Sequence, residues 1–358
     1  MRTVFYGLST EGLKLARSLI GKHEVTVIDE NLRMAIPLNK KIANLPPRNL
    51  IEYDLTPISS FSDSLANAEA IFFAPKIKKI GAEGRAEILI RLKELSRFLP
   101  KDVLLFYLLP LPPRGCSNTI MLLEDQSGLK EGEDFYFLYY PLTRQGGVQK
   151  FVGVTSPKPL KKAQEVIGKI EPLPFNDAEM KHFKTLLQEA IPDILELSFP
   201  GLGGRLVYLS DVVKGLLDIY LLNTSIQTSN PLFHLSSAAI KSIEFYLKSL
   251  ENYLRRIVKR KGLKAIRTHI LILWSLDPYE LRGDASRTRE VLINKLREAF
   301  GVVEVLNDLK SMKPSYVLLE RSHIILACTK EDENYVKKYK GAEGQVRISV
   351  TSPLSIIE

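Results

Sequence analysis

Hydrophobic residues along the chain fall into short runs separated by helical patterns. Thr3-Val4-Phe5-Tyr6 is an apolar run stopped by Gly7, and Leu13, Ala16, Leu19 and Ile20 then recur at helical spacing until Gly21. Glu24-Val25-Thr26-Val27-Ile28 reads as a second strand closing on Asp29. Further strands are predicted at Ala70–Ala74, Val103–Leu109, Phe135–Tyr140 and Phe151–Val154. A helix over Ala82–Phe98 carries Ile88, Leu89, Leu92 and Leu95 on one face. Alternating strands and helices favour a largely parallel sheet covered on both sides.

From residue 176 the pattern turns helical. Asn176 reads as an N-cap with Glu179 three positions on, an arrangement like a capping box. Met180, Phe183, Leu187 and Ile191 mark one face before Pro192-Asp193, which should break or kink the helix. Residues 205–261 contain no clear strand and carry the turn signal Thr228-Ser229-Asn230-Pro231. They read as a helical spacer or dimerisation layer. Strand patterns return at His269–Leu273, Val302–Leu306, His323–Cys328 and Val346–Val350, with a helix over Arg287–Phe300. The expected fold class is α/β: an N-terminal Rossmann-like doubly wound domain over 1–175, a central helical region over 176–264, and a smaller C-terminal Rossmann-like α/β domain over 265–358.

Composition narrows the setting. A chain of 358 residues exceeds what one hydrophobic core usually supports, which agrees with several domains. With Cys116 and Cys328 as its two cysteines it has no disulfide framework or cysteine-rich zinc site, and a reducing compartment fits. The apolar stretch 103–113 is too short to span a bilayer and is broken by prolines. A strand beginning at residue 3 leaves no room for a signal peptide, so a soluble, cytoplasmic protein without a membrane partner is expected. The net charge of +9 is concentrated at Arg255, Arg256, Lys259, Arg260, Lys261, Lys264 and Arg267. This cluster reads first as a solvated helix end complementing the dipole, second as an attraction for pyrophosphate, and third as a nucleic-acid contact.

The opening strand, turn, helix, strand and acid have the layout of a dinucleotide-binding unit. The fingerprint asks for G-x-G-x-x-G, whereas the chain presents Gly7, Ser9 and Gly12. A Cβ at Ser9 enters the space where the backbone would approach a pyrophosphate, which leaves retained and lost binding both open. Asp29 is read either as a ribose acceptor or as an exposed acid at a strand end. His23, His182, His234, His269 and His323 are scattered without metal-ligand spacing, and no Walker-type loop or G-x-S-x-G elbow is present. Gly201-Leu202-Gly203-Gly204 reads as a flexible turn rather than a phosphate cradle.

The order of these motifs resembles the UDP-glucose/GDP-mannose dehydrogenase family. Gly7–Gly12 resembles its glycine turn, and Pro112-Pro113-Arg114-Gly115-Cys116-Ser117 its proline-glycine-threonine loop. Ser127-Gly128-Leu129, Asp134-Phe135 and Tyr140-Pro141 resemble the approach to its Pro-Glu motif, and Ala178-Glu179 the start of its central helix. Glu280-Leu281-Arg282 resembles its Asp-x-Arg motif, and Cys328–Asp332 its late strand and turn. The resemblance implies NAD as cofactor, contacted by Gly7, Ser9, Gly12, Asp29 and Cys116, a nucleotide sugar contacted by Arg282, and a homodimer formed through the central helices.

The resemblance also implies chemistry that these residues do not support. The family oxidises a sugar alcohol to a carboxylate in two hydride transfers, with a cysteine thiolate capturing the aldehyde. Residues 205–268, where that nucleophile belongs, contain no cysteine, and Leu142 stands where the family has Glu after Pro141. The lysine register falls at Lys181, His182 or Lys184, without the following asparagine. The expectation is a divergent member that still binds NAD(P) but is a pseudoenzyme for the four-electron oxidation. The alternatives are a scaffold binding nucleic acid or an acidic partner, and a two-electron alcohol dehydrogenase using Lys181 or Lys184 as acid/base.

Overall fold

Apolar runs of four or five residues become fully buried strands in the computed structural model. It describes residues 1–42, 44–52, 59–79, 81–198, 207–224, 226–306, 316–339, 341–352 and 354–357; the Gly201–Gly204 turn lies outside them. Two units result. The first comprises Met1–Leu186, Leu217–Asn230 and Pro278–Gly283, and the second Leu187–Leu216, Pro231–Asp277 and Asp284–Glu358.

The first unit runs β1 (Arg2–Tyr6), α1 (Thr10–Leu19), β2 (Glu24–Asp29), β3 (Met34–Leu38), α2 (Pro47–Glu52), β4 (Ser59–Ser60), α3 (Phe61–Ala66), β5 (Ala70–Phe73) and α4 (Gly81–Ser96). It continues with β6 (Val103–Tyr107), α5 (Gly115–Ser127), β7 (Phe135–Tyr139), β8 (Phe151–Val154), α6 (Leu160–Ile167), β9 (Glu171–Pro174) and the first part of α7 (Phe175–Ser198). The nine-stranded sheet has the order β4-β3-β2-β1-β5-β6-β7-β8-β9. Its centre, β2-β1-β5-β6-β7, is parallel. Register stacks aromatic side chains across it. Phe5, Phe72 and Phe106 are aligned and lie 4.5 and 4.4 Å apart, and on the other face Tyr6, Phe73 and Tyr107 lie 5.5 and 5.3 Å apart. Such pairs add about 0.5–1.5 kcal/mol each beyond the area they bury.

Local departures from the sequence reading have physical causes. β3 is an additional strand, antiparallel to β2, that carries Pro37 and shows little of the β-branched alternation that marks a strand. The helix predicted to start after an Asn176 cap already includes Phe175, and Glu179 caps another helix instead of its own. α7 also runs through Pro192 to Ser198, held by buried Ala190, Asp193 and Ile194 on both sides of the proline. On α4, Ile88, Leu92 and Leu95 are buried as expected, but Leu89 is 38% exposed.

The chain then forms β10 (Val207–Tyr208), α8 (Leu209–Val212), α9 (Leu216–Asn223) and α10 (Pro231–Arg260), a helical middle region with one two-residue strand the pattern did not show. β11 (His269–Leu273), α11 (Asp284–Ala299), β12 (Val302–Leu306), α12 (Tyr316–Arg321), β13 (Ile324–Ala327), α13 (Lys330–Lys337), β14 (Val346–Ser349), β15 (Thr351–Ser352) and β16 (Ser355–Ile356) complete it. The second unit's main sheet has the order β12-β11-β13-β14-β16, parallel except for β16. Both main sheets are therefore parallel-rich and Rossmann-like. Among the described residues no helix is long and apolar enough to cross a membrane.

Candidate functional site

In an open α/β sheet, ligands bind outside the carboxyl ends of the strands where the strand order reverses. In the first unit this point lies between β1 and β5. Gly7 stands at its base with φ +120°, and a Cβ there would lie 2.2 Å from the Ala74 carbonyl oxygen. The turn therefore keeps the close backbone approach that demands glycine.

Several polar groups of this crevice are engaged with one another, whereas the buried Thr10 hydroxyl has no hydrogen-bond partner. Ser9 is the N-cap of α1: its Oγ accepts from the Gly12 N–H at 3.1 Å and donates to the Ala74 carbonyl at 3.2 Å. The Glu30 carboxylate, 2% exposed, spans the crevice, accepting from Leu8 N–H on the β1 side at 3.1 Å and from Lys76 N–H on the β5 side at 3.0 Å. Thr10 N–H donates to the Tyr279 carbonyl at 2.7 Å, and Leu281 N–H to Glu11 Oε2 at 2.7 Å. Ile77 and Leu281–Gly283 exchange backbone hydrogen bonds of 2.8 Å in both directions. Residues 279–283 thus lie along the crevice mouth, bonded to both of its sides.

Asp29 is also turned inward. Its Oδ1 accepts from the Asn31 and Leu32 N–H groups at 2.9 Å each, and its Oδ2 lies 3.7 Å from the Lys76 ammonium. The Lys76 ammonium in turn sits 5.0 Å over the Tyr279 ring. Asp29 is 2% exposed and turns its carboxylate into its own loop.

A second buried group adjoins Arg282. Its Nε donates to Asp218 Oδ2 at 2.5 Å and its Nη2 to the Thr143 carbonyl at 3.3 Å, with the guanidinium and carboxylate 5% and 1% exposed. Burial pushes the Asp218 carboxyl up, and the Arg282 charge opposes that shift. His182 lies nearby in a fixed network. Tyr139 hydroxyl accepts from Leu111 N–H at 3.0 Å, so its own hydrogen goes to His182 Nδ1 at 2.7 Å, and Nε2–H donates to the Leu142 carbonyl at 3.2 Å. Burial, reinforced by the Arg282 charge, pushes His182 down to about 3 and keeps it neutral.

The residues singled out from sequence are placed as follows. Gly7, Ser9, Gly12 and Asp29 come together at the crevice, and Arg282 belongs to the segment across it. Cys116 is instead the second residue of α5, where its N–H donates to Glu179 Oε1 at 2.6 Å and Arg114 N–H donates to Oε2 at 2.7 Å. Burial, then the Glu179 charge, pushes its thiol well up; Cys328 is buried too, and its thiol is likewise raised by burial. Lys181 is exposed and pairs with Glu171 at 2.7 Å, and Lys184 is exposed. In that register the buried residue is His182. Glu30, Glu11 and Asp218 were missed, and Glu179 was read only as part of its own helix's start. Glu30 could have been flagged as the acid beside Asp29, but the others act on backbone or side chains far away in sequence.

No protein-family model matches the sequence, and no curated protein matches it. Solved structures do. UDP-D-ManNAc dehydrogenase from Pyrococcus horikoshii superposes with a TM-score of 0.65 at 15% identity, covering 98% of this chain and 99% of that one. The chain has the fold of nucleotide-sugar dehydrogenases. NDP-N-acetyl-D-galactosaminuronic acid dehydrogenase from Methanosarcina mazei gives 0.53 at 13% identity, covering 97% and 94% of the two chains. UDP-N-acetyl-mannosamine dehydrogenase from Staphylococcus aureus gives 0.54 at 12%, covering 92% and 88%.

A Rossmann-like unit that binds a dinucleotide holds the pyrophosphate with free N–H groups at the first turn and helix. Here the Leu8, Thr10 and Gly12 N–H groups already donate to Glu30, Tyr279 and Ser9, and a buried carboxylate sits among them. These internal bonds occupy donors that a dinucleotide's pyrophosphate would use. Among the described residues no cluster of His, Cys, Asp or Glu suits a metal ion.

Proposed function

We propose that the chain is a divergent nucleotide-sugar dehydrogenase-like protein that no longer forms a uronic acid and acts as a binding or regulatory protein. The observation that carries this reading is the state of its two cysteines. Both Cys116 and Cys328 are 0% exposed, with thiols raised rather than lowered. Covalent capture of an aldehyde needs an accessible thiolate. Leu142, where an acid would assist hydrolysis, is buried and apolar. A lysine acid/base would need burial to bring its pKa down, and Lys181 and Lys184 are exposed on α7, so the two-electron alternative gains no support.

The scaffold alternative draws on the basic cluster at the end of α10. There Arg255 pairs with Glu251 at 2.8 Å, and Lys261 donates to the Gly344 carbonyl at 2.7 Å. Part of the cluster thus serves local structure, and nucleic acid is the less favoured partner. The homodimer and the cytoplasmic setting remain part of the proposal. Incubation with NAD and a panel of UDP- and GDP-sugars tests it. No NADH is expected, and two NADH per sugar would overturn it.

A further inference from the structure

The second unit repeats, with different residues, what Glu30 does in the first. Its strand order reverses between β11 and β13. Ser275 follows β11, Thr329 follows β13, and Asp332 in the first turn of α13 joins them. Asp332 Oδ1 accepts from the Ser275 hydroxyl at 2.8 Å, and Oδ2 accepts from Thr329 N–H at 3.1 Å and lies 3.4 Å from Ser275 N. Asp332 is 0% exposed. In each unit, then, one buried carboxylate bonds to donors from both strand ends that flank the reversal point.

We propose that both Rossmann-like crevices are closed by the chain's own carboxylates, Glu30 and Asp332, which take the place of a ligand's phosphate. The chain then binds neither a dinucleotide nor a nucleoside diphosphate at either point. A phosphate entering the first crevice would meet the Glu30 carboxylate, find the Leu8, Thr10 and Gly12 N–H groups in use, and have to displace residues 279–283. Like charges in a site shielded from water repel far more strongly than in solvent. A carboxylate with two oxygens reproduces two of a phosphate's acceptors, so it satisfies donors in the loops after the strands that would otherwise require a ligand or water.

The inference goes beyond the loss of oxidation, because a protein could bind NAD without turning it over. The test is thermal unfolding of the full chain with inorganic pyrophosphate, NAD or a matched concentration of chloride. Wild type should melt at the same temperature in all three. Glu30→Ala should melt several degrees lower, and millimolar pyrophosphate should restore much of the loss where chloride does not. If that variant does not fold, Glu30→Gln, which loses the charge and one acceptor, should show the smaller loss and the same rescue. Hydrogen exchange on wild type gives an independent reading: the Leu8, Thr10 and Leu281 amides should be protected. A wild-type melting temperature raised by NAD, absence of rescue in the variants, or free exchange of these amides would overturn the inference. NAD binding without NADH production would overturn it and leave the proposed function standing.

Discussion

Replacing Arg282 by Met removes the cation from a buried pair while keeping an unbranched stem. Asp218 then loses the guanidinium 2.5 Å from its Oδ2 in a place where its side chain is 1% exposed, and its Oδ1 already has no hydrogen-bond partner. Breaking a buried pair from one side costs about 3–5 kcal/mol. At about 2–4 °C per kcal/mol for a body of 150–250 residues, the first unit should melt about 6–20 °C lower, read by far-UV circular dichroism.

The loss should also depend on pH. Burial already raises the Asp218 carboxyl, and Arg282 supplies the opposing charge and hydrogen bond. Without them the carboxyl rises further. An acid raised in the folded state holds its proton more tightly than in the unfolded chain, so that contribution is present below about pH 4 and is lost as pH rises through the folded value. Arg282→Met should therefore cost more at pH 8 than at pH 5. The double variant Arg282→Met, Asp218→Leu should recover most of the loss, because no charge is left buried. A single-variant cost under about 1 kcal/mol, or no recovery in the double variant, would refute the reasoning, since only exposed pairs are worth so little.

Other measurements follow from the same structure. His182 is held neutral with its pKa pushed down to about 3, against about 6.5 when unfolded. Between those values the unfolded chain binds the extra proton, so stability should fall on acidification by up to about 1.4 kcal/mol per pH unit. His182→Gln should flatten that slope in urea titrations across this range; an unchanged slope would show that the imidazole is not buried neutral. Neither Cys116 nor Cys328 should react with a thiol reagent at pH 8 in the native state, and both should react in urea; a fast native thiol would place a nucleophile where none is described. Lys181→Met and Lys184→Met should each shift stability by less than about 0.5 kcal/mol, measured by urea denaturation, and a larger loss would mean these side chains are not simply exposed.

The elements were legible in the sequence because buried parallel strands leave short apolar runs. Phe151–Val154, His269–Leu273 and Val302–Leu306 lie where the pattern put them, and the strand expected at Ala70–Ala74 ends one residue earlier, at Phe73. β3 was not, because Met34-Ala35-Ile36-Pro37-Leu38 pairs through a hairpin that only the β2 register defines. The glycine turn and its acid were legible as residue types, but their use was not. Asp29 and Glu30 are neighbours at a strand end, and which carboxylate reaches across to Leu8 and Lys76 depends on the tertiary placement of the loop after β5. Glu179 carried a local reading as part of its own helix cap, while its partners are the N–H groups of Arg114 and Cys116 on another helix. Asp218 gave no signal, since a lone acid in an apolar helix acquires its meaning from Arg282, 64 residues away.

Isothermal calorimetry of NAD titrated into the purified wild-type chain is the most direct test of a crevice filled by its own side chains. The account predicts only the heat of dilution up to millimolar NAD. A saturable one-site isotherm with a micromolar Kd would contradict it.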